Sequence, residues 1–145
     1  MKPSILKLFV FMLAAVSVIA GCGGNQVAQQ AELAQAAINL QELATDIDTT
    51  TVDSLRGRDD VVILDVREDW EYAEGHIPGA VLLPLGSIPD RLSEIPQDKT
   101  VVAVCRSGNR SGQATQFLRQ QGFDNVHNME GGMIAWDEAG LPTDR

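Results

Sequence analysis

Seven consecutive residues, Cys105-Arg106-Ser107-Gly108-Asn109-Arg110-Ser111, bring together a nucleophile, two cations, two hydroxyls and a glycine. Cys105 closes a β-branched run, Val101-Val102-Ala103-Val104, and Ser111 opens a helical pattern. A loop between a parallel strand and a helix lies beyond the strand's carboxyl end, where open α/β sheets bind ligands. Unpaired N–H groups and the positive end of the helix dipole converge there. Gly108 and Asn109 tolerate left-handed backbone, which turns successive N–H groups inward. Arg106 and Arg110 add full charges. Each feature favours a thiolate, and a cysteine of ordinary pKa near 8.5 falls to about 3.5–7.5 in such settings. The same cradle suits an oxyanion such as thiosulfate, sulfite or phosphate. The stretch therefore specifies an accessible nucleophilic thiolate in an anion-binding loop. The bland alternative is a buried strand-end cysteine with two solvated arginines.

The elements around the loop alternate. Thr49-Thr50-Thr51 caps a short helix ending at Leu55. The run 61–64 (Val-Val-Ile-Leu) is a strand buried on both faces. A helix over 69–74 ends at Gly75, and Gly75-His76-Ile77-Pro78-Gly79 is a turn. A second strand occupies 80–83 and stops at Pro84, and a short helix over 88–95 carries Pro89 in its first turn. The third strand is 101–104, and the helix 111–121 follows, with Ala114, Phe117, Leu118 and Gln121 on one stripe and Gly122 at its end. A last strand over 125–129 and a helix over 133–139 complete the pattern. Strand and helix in alternation predict an α/β fold: one parallel sheet with helices on both faces, in a single domain.

Only two cysteines are present, Cys22 and Cys105. Residues 1–7 carry Lys2 and Lys7 and no acid, and residues 8–20 are apolar except for Ser17. That is a charged segment followed by an apolar one too short for a comfortable membrane span. It ends in Ile19-Ala20-Gly21-Cys22, which resembles a bacterial lipobox. The resemblance implies a signal peptide over 1–21 and a lipid on Cys22. Two or more acyl chains anchor stably, since each buried methylene adds about 0.8 kcal/mol. Gly23 after Cys22, in place of Asp, permits outer-membrane sorting. Residues 22–44, rich in Ala and Gln, would be a partly helical tether, and the folded unit would be 45–145. The expected location is an exported, lipid-anchored one, on a periplasmic or extracellular membrane face. Cys105 then has no partner within the chain; an unused lipobox would leave a Cys22–Cys105 disulfide open.

The chain has 11 basic and 20 acidic residues, and losing Lys2 and Lys7 leaves 9 against 20, a formal charge of −11. Nucleic acid is not an expected partner for so acidic a chain. The local arginines still act on an anion, because charges beyond about 8 Å are largely screened at physiological salt.

Two enzyme chemistries use such a loop, and spacing separates them. Cysteine phosphatases carry Cys-x5-Arg; Cys105 to Arg110 is Cys-x4-Arg, and the next residue is Ser111. The loop resembles the active-site loop of rhodanese-family sulfurtransferases. Asp65-Val66-Arg67-Glu68, Glu71-Tyr72 and Gly75-His76-Ile77-Pro78-Gly79-Ala80 resemble that family's first signature. Gly122-Phe123, Asn125-Val126 and Gly131-Gly132 up to Trp136 resemble its closing segment. The motifs run in order over about residues 46–142, and the small periplasmic members are the nearest in kind.

The resemblance implies that Cys105 attacks the outer sulfur of thiosulfate, releases sulfite and is left as a persulfide. Cyanide or a thiol then takes the sulfur. Arg110 would bind sulfonate oxygens or fix the loop, Arg106 would draw the anion in, and the amides of 106–111 would hold the charged sulfur. Asp65 and Arg67 are expected to support the loop, and His76 to hold backbone carbonyls in its turn. His127 is placed on a strand surface. Glu68, Asp69, Glu71 and Glu74 are read as a solvated helix face, and Trp136, Met129 and Met133 as core. No metal, no cofactor and a monomeric state are expected. The competing readings are a tethered sulfur-carrier or thiol-relay module and, from another class, an oxyanion reductase or phosphatase.

Overall fold

The computed structural model describes residues 38–145. Five strands form one parallel sheet: β1 (Asp46–Ile47), β2 (Val61–Asp65), β3 (Val81–Leu82), β4 (Thr100–Val104) and β5 (Val126–Met129). Their order is β1-β5-β4-β2-β3, and every pairing is parallel. β4 lies at the centre, and all five of its residues are buried. That is why its sequence is a continuous apolar run rather than an alternating one. Alternation survives in where the side chains go. Val101, Ala103 and Cys105 join one apolar layer with Leu64, Ala114, Leu118 and Phe123. Val102 and Val104 join the opposite layer with Ile63, Leu55, Met129 and Trp136.

Four helices cover the faces: α1 (Thr49–Leu55), α2 (Asp69–Glu74), α3 (Asn109–Gln120) and α4 (Gly132–Glu138). α3 buries Ala114 and Leu118 on the first layer; α1 and α4 bury Val52, Leu55, Met133 and Trp136 on the second. Each such side chain contributes about 1.5–3 kcal/mol by leaving water. Met129, Met133 and Trp136 are therefore core, as expected. Ile38, Leu40 and Leu43 also pack against the second layer, so contact with the core reaches back to Ile38. Cys22, the signal segment and the greater part of the 22–44 stretch lie outside the described residues.

Several local expectations need correction. The cap of α1 is Asp48, whose Oδ1 accepts the Thr51 N–H at 2.8 Å; a carboxylate is the stronger acceptor, so Thr49 falls inside the helix. The helix expected over 88–95 is two 3-10 segments, Leu85–Asp90 and Leu92–Glu94. Pro89 has no N–H to donate, which favours short i→i+3 turns there. α3 starts at Asn109, not Ser111, because Gly108 adopts φ +89° and turns the loop straight into the helix. Gln121 is exposed just beyond α3 rather than on its packed stripe. The second strand is shorter than expected, Val81–Leu82, although the Leu83 N–H still donates to the Asp65 carbonyl at 2.9 Å. His127 is buried, not on the surface, at 4% exposure. β5 is flanked by β1 and β4, and the His127 Nδ1 meets the Ala44 carbonyl at 2.6 Å. Burial pushes its pKa below the ordinary histidine value.

Candidate active site

β2 and β4 end level, with Asp65 opposite Val104. The Val66 N–H still bonds the Val104 carbonyl at 2.9 Å, and beyond it the chains part. Cys105 stands at this opening, followed by the loop that enters α3. Its Sγ accepts hydrogen bonds from the Gly108 N–H at 3.2 Å and the Ser111 hydroxyl at 3.3 Å. Burial, the largest influence, pushes the thiol pKa up. The Ser111 hydroxyl and the N–H groups of Ser111, Ser107 and Gly108 together outweigh it, and the net displacement is downward. The loop is thus wrapped around the sulfur, as the left-handed Gly108 allows.

The sulfur is more recessed than the sequence implies. Cys105 is 1% exposed, so the expected accessible thiolate is not open to water in this conformation. The physical reason is that donors must close around a sulfur to stabilise its charge. The bland alternative is met in its buried cysteine but not in its arginines, since Arg110, half-buried, is paired with Glu71.

Arg110 binds Glu71 through two parallel bonds of 2.7 Å, Nη1 to Oε2 and Nη2 to Oε1. Glu71 Oε2 also accepts the Glu68 N–H at 3.2 Å. The Arg110 contact is the chief cause holding the Glu71 carboxyl near pKa 2, well below its ordinary 4.5. Glu71 is therefore not part of a solvated face. It is buried at 7% exposure and anchors the loop to α2. Of the two roles expected for Arg110, the contact with Glu71 suits that of fixing the loop. Arg106 is exposed and makes no ion pair among the described residues; Ser107 and Asn109 are exposed too.

Asp65 and Arg67 form a buried bidentate pair, with Nη2 to Oδ2 at 2.7 Å and Nε to Oδ1 at 2.9 Å. Arg67 Nη2 also donates to the Gly75 carbonyl at 2.8 Å. The pair ties the end of β2 to the end of α2, and so sets where Glu71 meets Arg110. His76 belongs to the same brace. Its Nδ1 meets the Tyr72 carbonyl at 3.0 Å, and its ring stacks on Tyr72 at 3.7 Å. The His76 backbone exchanges two hydrogen bonds of 2.9 Å with Asp144, pinning the C-terminal segment.

A second set of supports was not singled out from sequence. The Met133 N–H donates to the Cys105 carbonyl at 2.8 Å, and the Ile134 N–H to the Arg106 carbonyl at 3.0 Å. α4 thus reads the loop backbone directly. Gly132 makes this possible: at φ +59° a Cβ there would lie 2.6 Å from Arg106 C and Ser107 N. The Gly131-Gly132 pair is the visible signal for that close approach. For Glu71 the signal was weaker, an arginine in the loop with no acid nearby in sequence.

A family model for the rhodanese-like domain matches residues 48–139. The chain belongs to the rhodanese-like domain family. It is 46% identical over 101 residues to a protein of Allochromatium vinosum named "Sulfurtransferase", covering 69% of this chain and 94% of that one. It is 39% identical over 85 residues to "Thiosulfate sulfurtransferase GlpE" of Pseudoalteromonas translucida, covering 59% and 81%. The crystal structure of a rhodanese-like domain protein from Staphylococcus aureus matches with a TM-score of 0.61 at 37% identity, over 70% of this chain and all of that one. The expected single rhodanese-like α/β domain is thereby met, and the chain's role is sulfur transfer.

Proposed function

We propose that this rhodanese-like domain moves sulfane sulfur from thiosulfate or a related donor through a persulfide on Cys105. The observation that carries this is the sulfur itself, held by the Gly108 N–H at 3.2 Å and the Ser111 hydroxyl at 3.3 Å. The Cys105 thiolate attacks the outer sulfur of thiosulfate. A Cys105–sulfur bond forms, the sulfur–sulfur bond of the donor breaks, and sulfite leaves with the electron pair. Cyanide or a thiolate then attacks the outer sulfur, and the pair returns to Cys105 as thiolate. The loop amides of 106–111 and the Ser111 hydroxyl stabilise the anionic sulfur at both stages. Arg110 holds the loop through Glu71. Arg106, exposed and unpaired among the described residues, draws the anion in. Asp65, Arg67 and His76 position the frame. Because Cys105 is 1% exposed, donor entry needs the outer loop at Arg106 and Ser107 to yield.

The protein is also proposed to be an exported, monomeric lipoprotein, anchored by lipid on Cys22 to a periplasmic or extracellular membrane face. Incubation with thiosulfate and cyanide should yield thiocyanate, and Cys105→Ser should abolish it. Intact mass spectrometry should find one added sulfur on Cys105 after thiosulfate, and acylation at Cys22 in protein from native membranes. Absence of the added sulfur refutes the persulfide route.

The recessed sulfur favours a second reading, a carrier that passes its sulfur to a docked protein with little free-standing turnover. Slow thiocyanate formation beside rapid transfer to a partner protein would select it.

A further inference from the structure

Next to the active loop lies a cavity of about 510 Å³, between α2 and α4. α2 contributes Trp70, Glu71 and Glu74, α4 contributes Met133, Ile134 and Asp137, and Arg106 comes from the loop itself. Two features of this cavity have no explanation in the fold. Among the described residues, the large exposed apolar side chains are Trp70 at 64%, Val81 at 53% and Ile134 at 44%, and two of these three line this one cavity. Arg106, at the loop, is exposed and makes no ion pair among the described residues, and Arg145 adds a second cation to the same lining. The volume is also out of scale with thiosulfate, which has five heavy atoms; clefts of about 300–1,000 Å³ enclose ligands of drug size.

Both exposed side chains are attached rigidly to the chemistry. Trp70 precedes Glu71, which holds Arg110 through two bonds of 2.7 Å. The Ile134 N–H bonds the Arg106 carbonyl at 3.0 Å. An occupant that touches Trp70 and Ile134 is thus placed against the loop that carries the sulfur. Tryptophan is among the residue types enriched at the energetic centres of protein interfaces.

We propose that this cleft receives the sulfur acceptor as a cysteine on an extended segment of a partner protein. Trp70 and Ile134 cover an apolar neighbour of that cysteine, and Arg106 meets an acidic neighbour. Glu74 and Asp137 on the same lining suit a basic residue further along. The inference rests on the persulfide reading above and adds the class of acceptor. The acceptor thiol loses its proton to water, and its thiolate attacks the outer sulfur. A new sulfur–sulfur bond forms on the acceptor, the bond to Cys105 breaks, and the electron pair stays with Cys105.

The test uses full-length protein loaded with thiosulfate and three acceptors: cyanide, a small uncharged monothiol, and a capped peptide with Asp before and Leu after a single cysteine. A control peptide carries Lys and Gly in those places. Wild-type protein should prefer the Asp/Leu peptide over the control at least fivefold in KM. Trp70→Ala and Ile134→Ser should each raise the Asp/Leu peptide KM about fivefold or more relative to the cyanide KM. Arg106→Gln should erase the preference for Asp. The cleft is refuted if the variants shift peptide, monothiol and cyanide by the same factor, or if wild type does not discriminate the peptides. Failure of wild type to gain sulfur on Cys105 removes the persulfide reading and this inference together. Sulfur gain and thiocyanate formation without peptide discrimination remove this inference alone.

Discussion

Glu71→Gln keeps the shape of the side chain and removes the charge that Arg110 grips. Both bonds are 2.7 Å, and the carboxyl sits near pKa 2 against an ordinary 4.5. At 1.36 kcal/mol per pKa unit this displacement sets a ceiling of about 3 kcal/mol. Arg110 keeps 32% of its side-chain exposure, and water screens the pair, so the expected loss is about 1–2 kcal/mol. The sign follows from linkage. The folded-state pKa is depressed, so the stabilisation is complete above the unfolded value of about 4.5 and disappears as pH falls toward about 2. Urea unfolding of wild type and variant should therefore differ by about 1–2 kcal/mol near neutral pH and converge in large part by about pH 3. Thiocyanate formation should fall with it, since Arg110 no longer fixes the loop around Cys105. A difference that is the same at both pH values, or zero at both, refutes the idea that this ion pair anchors the loop.

Gly132→Ala should cost about 2–4 kcal/mol in thermal or urea unfolding, since its Cβ would strike the loop backbone at φ +59°. Gly122→Ala, at φ +91° with nothing within 4 Å of its Cβ, should cost only about 1–2 kcal/mol. Equal costs would mean that contact with the loop is not the cause. Ser111→Ala removes the hydroxyl that donates to the sulfur at 3.3 Å, so the thiol pKa should rise toward its ordinary value. Thiolate absorbance against pH reads this directly; an unchanged curve would show that the amides alone suffice. Asp65→Asn strands the buried Arg67 cation and should cost about 3–5 kcal/mol, with a loss of half that or less counting against a dry pair.

The parts of the fold most legible in sequence are those where burial is symmetrical. β4 is covered on both faces, so its residues form an unbroken apolar run that can be read directly. Gly75 and Gly122 mark helix ends, Gly75 in extended backbone and Gly122 in the left-handed turn that follows α3. What could not be read depends on contacts far apart in the chain. Glu71 looks like any other acid in Asp69–Glu74; only Arg110, 39 residues on, separates it from its neighbours. His127 looks like a surface residue until β1 is seen to complete the sheet beside β5. The recess of Cys105 depends on how tightly the loop closes, which depends in turn on Gly132 accepting the loop backbone from another helix.

The source of the thiolate's stabilisation bears on how an acidic chain can hold a further anion. A cation in contact with the sulfur would be the obvious means, yet Arg110 is already neutralised by Glu71 and Arg106 stands in solvent. The groups that lower the Cys105 pKa are a hydroxyl and backbone N–H dipoles. Dipoles at contact distance act within a few ångströms and are little affected by salt or by the chain's net charge. The same donors stand next to where the outer sulfur of a Cys105 persulfide would lie. The arginines are left to other tasks, one fixing the loop's shape and the other meeting what approaches it. This division explains why the loop is braced so heavily from behind, by Arg67 through Gly75 and by α4 through Gly132: dipolar stabilisation works only while the donors stay aimed at the sulfur.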